Sequence, residues 1–184
     1  MNFCYLYQRN KKYHMNKFLF ILTLVSATLS SCNRKNVKPE VYNDSLVVHQ
    51  IRVVEKADKL QDAFGSYVEK EMQYRHNELS NQINASILAV EKMESFNGED
   101  TYKMAALDML NGYKNLLNKE YKAAEKILAQ PDSLYSDGDE ARLEMLYKQI
   151  DKLSSTYNAD FKKAQETFSK DHKITIKPLV KKVD

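Results

Sequence analysis

The stretch LEMLYKQIDKLSSTYNADFKKAQETF, from Leu143 to Phe168, decides the fold. Leu143, Leu146, Ile150, Leu153, Tyr157, Phe161, Ala164 and Phe168 recur at spacings of three and four, and most residues between them are charged or polar. That period puts every apolar position on one stripe of an α-helix, and such a stripe needs other helices to cover it. The helix is predicted to begin near Asp137, whose spacing to Glu140 suits a cap.

Three more such patterns precede it. The first runs from about Val41 to Phe64, with Val47, Ile51, Val54, Ala57, Leu60 and Phe64 on one face. Gly65 reads as a left-handed stop. Ser66-Tyr67-Val68-Glu69 then has capping-box spacing, so a second helix is expected to start at once. It carries Val68, Met72, Leu79, Ile83, Ile87, Val90 and Met93 and ends near Asn97-Gly98. The third, about Thr101 to Ala129, aligns Ala106, Leu110, Tyr113, Leu117, Tyr121, Ala124 and Leu128, and Pro131 marks its end. Gly112 lies inside it, where glycine costs about 1 kcal/mol relative to alanine, so it marks a bend or a close approach of another helix.

Short connections make consecutive helices antiparallel, so residues 41–170 are predicted to form an all-α, up-down-up-down four-helix bundle. Paired extended hairpins and a dimeric coiled coil are the competing arrangements. In the tail, residues 171–184, Ile174-Thr175-Ile176-Lys177-Pro178 alternates apolar and polar residues and is expected to lie extended across the bundle.

The N-terminal part has a different character. Met15, Asn16 and Lys17 lead into an apolar run from Phe18 to Val25, and Leu29-Ser30-Ser31-Cys32 follows. A cationic start, a short apolar core and small residues before a cysteine form a bacterial lipoprotein signal, cleaved so that residues 1–31 are lost and a lipidated Cys32 becomes residue one. Thr23, Ser26 and Thr28 interrupt the run, which is shorter than the roughly 20 apolar residues of a membrane span. Met15 alone begins a complete signal, so residues 1–14 read as an unused upstream start; an extended basic leader is the alternative. Residues 32–40 then act as a tether, and the eight from Asn33 to Glu40 reach at most about 28 Å. No aspartate follows Cys32 directly, and there is no acidic cluster. The expected location is therefore the outer membrane, on its periplasmic face, with surface exposure as the alternative.

Cleavage also changes what the composition implies. The full chain has 184 residues and formal net charge +3, but loss of Arg9, Lys11, Lys12 and Lys17 leaves 24 basic residues against 25 acidic ones. No basic excess remains to argue for nucleic-acid binding. Cys4 is also lost, and a lipidated Cys32 leaves no thiol for a disulfide, a metal or a nucleophile.

No reaction motif was found. Carboxylate-bridged metal bundles need Glu-x-x-His, but Leu46, Gln73 and Ser169 stand three residues before His49, His76 and His172. Haem-attachment, zinc, nucleophile-elbow and phosphate-loop patterns do not occur. His49 reads as a surface residue and His76 as one flanking the core beside Arg75. Met72, Met93, Met104, Met109 and Met145 read mostly as core filler, and Tyr113, Tyr121 and Tyr157 as buried rings with hydroxyls near the bundle edge. Glu69, Glu71, Glu91 and Glu94 read as a solvated face. No catalytic, cofactor or metal residue is assigned. Asp44-Ser45-Leu46 and Asp132-Ser133-Leu134 match a loose tripeptide for periplasmic O-glycosylation, which makes Ser45 and Ser133 candidate sites.

The mature chain resembles a family of uncharacterised lipoproteins of Bacteroidota and spirochaetes described as surface proteins. The resemblance rests on Tyr42-Asn43-Asp44, Phe96-Asn97-Gly98-Glu99-Asp100, Glu120-Tyr121, Phe161, Ala164-Gln165 and Phe168. It implies a helical, lipid-anchored domain and brings no site residues with it. The functional expectation is a non-catalytic binding or structural module of the cell envelope, held by its lipid and offering helical faces to an envelope protein. The alternative is a small-ligand or cofactor carrier that uses the bundle interior.

Overall fold

The computed structural model describes residues 37–176. The signal segment, Cys32 and the residues after Ile176 lie outside that range. Helix α1 spans Pro39–Phe64, α2 Glu69–Glu91 and α3 Thr101–Leu116. A π-helical turn, Leu117–Tyr121, joins α3 to α4, Lys122–Leu128, and α5 runs Asp137–Asp171. The architecture is the expected up-down-up-down bundle, with α3, the π turn and α4 together as its third rod. Its direction is set by side-chain pairs: Lys56 meets Glu78 between α1 and α2, His76 meets Glu125 between α2 and α4, and Tyr102 stacks on Phe161 between α3 and α5. Phe64 touches Tyr147 at one end of the α1–α5 seam, and Tyr42 touches Phe168 at the other.

The predicted stripes form the core. Leu46, Leu60, Leu79, Leu110, Ile150 and Phe161 have no exposed surface. Each buried leucine- or phenylalanine-sized side chain stabilises the fold by roughly 1.5–3 kcal/mol of transfer free energy. Tyr113 and Tyr121 are buried whole instead of placing their hydroxyls at the edge. Tyr157 is half-buried, Met72 and Met109 are core, and Met104 and Met145 are exposed.

Several boundaries differ from the sequence reading, each for a local reason. Pro39 and Glu40 belong to the first turn of α1, not to the tether, because proline's fixed φ and missing N–H suit the first helical position. Gly65 stays right-handed at φ −67°, and the left-handed residue is Tyr67 at φ +54°. Ser66 does not cap α2: its hydroxyl donates to the Ala63 carbonyl and accepts from the Val68 N–H, so α2 starts later, at Glu69, and Val68 is exposed. Helix α2 stops at Glu91, where Lys103 Nζ donates to the Glu91 and Met93 carbonyls. The cap of α5 is Ser136, which forms a reciprocal box with Asp139.

The π turn was not foreseen. Its hallmark is the Lys122 N–H donating to the Leu117 carbonyl five residues back. Tyr113, Leu117 and Tyr121 are separated by two successive steps of four, which drift around an ideal α-helix of 3.6 residues per turn. The wider turn takes up that drift, and all three side chains are buried.

Gly112 marks a close helix approach. A Cβ there would lie 2.8–2.9 Å from the Tyr157 ring carbons, so the ring of α5 rests on the bare backbone of α3. Gly112→Ala should therefore destabilise by about 1 kcal/mol, because an overpacking cost of about 1–3 kcal/mol exceeds the roughly 1 kcal/mol gained in helix propensity. A chemical-denaturation midpoint equal to or above wild type would contradict this.

His49 is not a surface residue. Its Nδ1 lies 3.2 Å from Ser86 Oγ in the α1–α2 seam, and burial, then the Arg52 charge, lower its pKa. The unfolded chain therefore binds the proton more readily. Stability should fall as pH drops below about 6.5 towards the lowered native value, and His49→Gln should flatten that slope in a series of urea titrations between pH 7 and 5.

Candidate functional site

The end of the bundle where α1 begins and α5 finishes is built differently from the rest. Helix α5 presents Asp160, Lys163, Ala164, Thr167, Phe168 and Asp171 at helical spacing along one face. Opposite it, the α2–α3 connection folds into a tight turn: the Phe96 and Glu99 backbones exchange both hydrogen bonds, with Asn97 at φ +52° and Gly98 at φ +89° between them. Two successive left-handed residues are the requirement of a type I′ turn, which Asn-Gly satisfies at little cost. The turn drives the Phe96 ring inward and leaves Glu99 at the rim.

Between these walls lies a half-open pocket of about 310 Å³. Its floor is aromatic. Phe168 packs against Tyr42, Phe96, Tyr102 and His172 with ring centroids 4.4 to 5.6 Å apart. His172 is held at the C-cap of α5, where Lys173 turns left-handed and the Ile174 N–H donates to the Ser169 carbonyl in a Schellman closure. Ile174 packs against the core where the described residues end, and the rest of the Ile174–Pro178 segment expected to lie across the bundle falls outside them after Ile176. The volume is at the small end of the range for small-molecule sites.

Buried polar groups organise the base of the pocket. Asn43 Oδ1 accepts from the Tyr102 hydroxyl at 3.1 Å and from Gln165 Nε2 at 3.0 Å, joining α1, α3 and α5. Farther along the same seam, Gln50 donates to Asn158, which donates to the Tyr113 hydroxyl. Among the described residues, Ser169 Oγ and His172 Nε2 are buried without a hydrogen-bond partner, and the Tyr42 hydroxyl lies against the Phe96 backbone. Burial, then the Asp100 carboxylate, raise the Tyr42 pKa, and burial, then Asp44, raise that of Tyr102, so both hydroxyls stay protonated. Leaving a buried polar group unpaired costs about 1–3 kcal/mol. Tyr42 and His172 contribute ring surface to the pocket.

No protein-family model, curated protein or solved structure matches this chain. The pocket was not singled out in the sequence. Tyr42, Phe96, Glu99, Ala164 and Phe168 line it, and Asn43, Phe161 and Gln165 lie beneath.

The other singled-out residues are elsewhere. His76 Nδ1 lies 2.8 Å from Glu125 Oε1 beside a second, shallower recess, so His49 and His76 have separate partners. Among the described residues, no group of three or more His, Cys, Asp or Glu is placed to hold a metal ion, and no helix is long and apolar enough to cross a membrane. Glu71 is ion-paired with Arg75, and Lys56, then Arg75, hold the Glu78 carboxyl below its usual pKa. Ser133 is exposed in a 3-10 turn, whereas Ser45 sits within α1 and donates to the Val41 carbonyl. Cys32 lies outside the described residues.

Proposed function

We propose that this chain is an outer-membrane lipoprotein, anchored through Cys32 on the periplasmic face, whose bundle is a non-catalytic binding module for a small ligand. The observation that supports this reading is the aromatic pocket at the bundle's end, rimmed by exposed charged side chains. It moves the carrier idea from the bundle interior, which apolar side chains occupy, to the bundle's end. Helix α1 starts at Pro39, so a lipid on Cys32 would hold that end within about 25 Å of the membrane.

The test is native mass spectrometry of the full chain isolated from its own membranes in mild detergent. The N-terminal peptide should begin at Cys32 and carry acyl mass, and a small molecule should be retained by wild type and lost from Thr167→Trp, which fills the groove from an exposed position. An unmodified N-terminus would remove the anchor, and a ligand-free protein would remove the binding reading.

An envelope-protein partner is the second reading. Tyr67 and Leu134 are 68% and 65% exposed, and with Val68 and Tyr135 they form an apolar group in two loops at the opposite end. Cross-linked membranes should yield a reproducible partner that Tyr67→Ser with Leu134→Ser loses.

A further inference from the structure

The charge around the pocket narrows the class of ligand. Its rim carries three carboxylates, Glu99, Asp160 and Asp171, against one ammonium group, Lys163. Among the described residues none of these four is in an ion pair, although ion pairs form elsewhere on α2 and α5. The rim therefore keeps a net negative charge, three carboxylates against one ammonium. Inside it, Tyr42, Phe96, Tyr102 and Phe168 give the pocket an apolar, aromatic lining, and aromatic rings attract a nearby cation.

We infer that the pocket takes a small organic cation: an ammonium group on an aromatic or short apolar body, with the body on the Phe96–Phe168 floor and the charge facing Glu99, Asp160 and Asp171. This rests on the ligand-binding reading above and names its substrate class. An anionic ligand would face three carboxylates at close range, with a single lysine in its favour. A neutral one would gain nothing from that charge.

Three probes that share a phenylethyl body decide the matter by isothermal titration of the full chain in detergent: 2-phenylethylammonium, 2-phenylethanol and 3-phenylpropionate. The ammonium should bind about tenfold tighter than the alcohol, and the carboxylate weakest, since the rim charge attracts a cation and repels an anion. Asp160→Asn with Asp171→Asn, both at exposed positions, should erase most of the ammonium's advantage while leaving alcohol binding unchanged. Thr167→Trp should abolish all binding. Equal affinity for ammonium and alcohol would overturn the charge inference and leave the pocket reading standing. No binding by any probe would overturn both. Ammonium binding that appears only after deletion of residues 177–184 would overturn it in favour of the chain's own segment, with Lys177, Lys181 and Lys182, as the occupant.

Discussion

Replacing Phe161 with alanine should lower the unfolding free energy by about 3–5 kcal/mol, the usual cost of removing a fully buried phenylalanine. Phe161 has no exposed surface, and its ring stacks on Tyr102 at 5.4 Å between the two helices that also hold the Gly112–Tyr157 contact. The cavity cannot collapse easily, because Tyr102 is fixed by its hydrogen bond to Asn43. Urea unfolding followed by helical circular dichroism gives the number, with Leu88→Ala, at 56% exposed, as a control expected to shift by no more than about 0.5 kcal/mol. A loss below about 1 kcal/mol for Phe161→Ala would mean that the α3–α5 contact is not a main support of the fold.

The second large effect should come from a polar residue. Asn43→Leu removes the acceptor shared by the Tyr102 hydroxyl and Gln165 Nε2, leaving two buried donors without a partner. At about 1–3 kcal/mol per stranded group, the expected loss is roughly 2–4 kcal/mol, despite the gain in apolar volume. The diagnostic is a double-mutant cycle: Tyr102→Phe should be mildly destabilising alone but nearly neutral or favourable beside Asn43→Leu, because it removes one stranded donor. Additive effects would show that the network contributes little.

The helices could be read because their stripes are long and periodic. Leu143 to Phe168 alone contains eight apolar positions in register, and burial of one face follows from that spacing whatever the loops do. Connections were harder, since similar residues support several local geometries. Gly65 looked like the left-handed stop, but the chain turns two residues later at Tyr67, where Ser66 bonds back to α1 rather than forward to α2. Lys173 is also left-handed although lysine has no preference for that region; the Schellman bonds and the packing of Ile174 impose it.

The pocket could not be read from spacing because it joins three segments far apart in the chain. Asn43 and Gln165 were invisible as a pair for the same reason: each sits beside an apolar position on its own helix, and their meeting depends on how α1 and α5 close.

That closure has a kinetic consequence. The α1–α2 hydrogen bonds join residues 22 and 37 apart, whereas the bonds sealing α1 to α5 join residues 108 and 122 apart. Loop entropy favours the short-range hairpin contacts forming first. The α1–α5 seam is then the last to zip and the first to open, so its amides near Asn43 should exchange hydrogen through smaller openings than those at the middle of α3. The pocket sits on that seam, and a ligand would act there as a clasp.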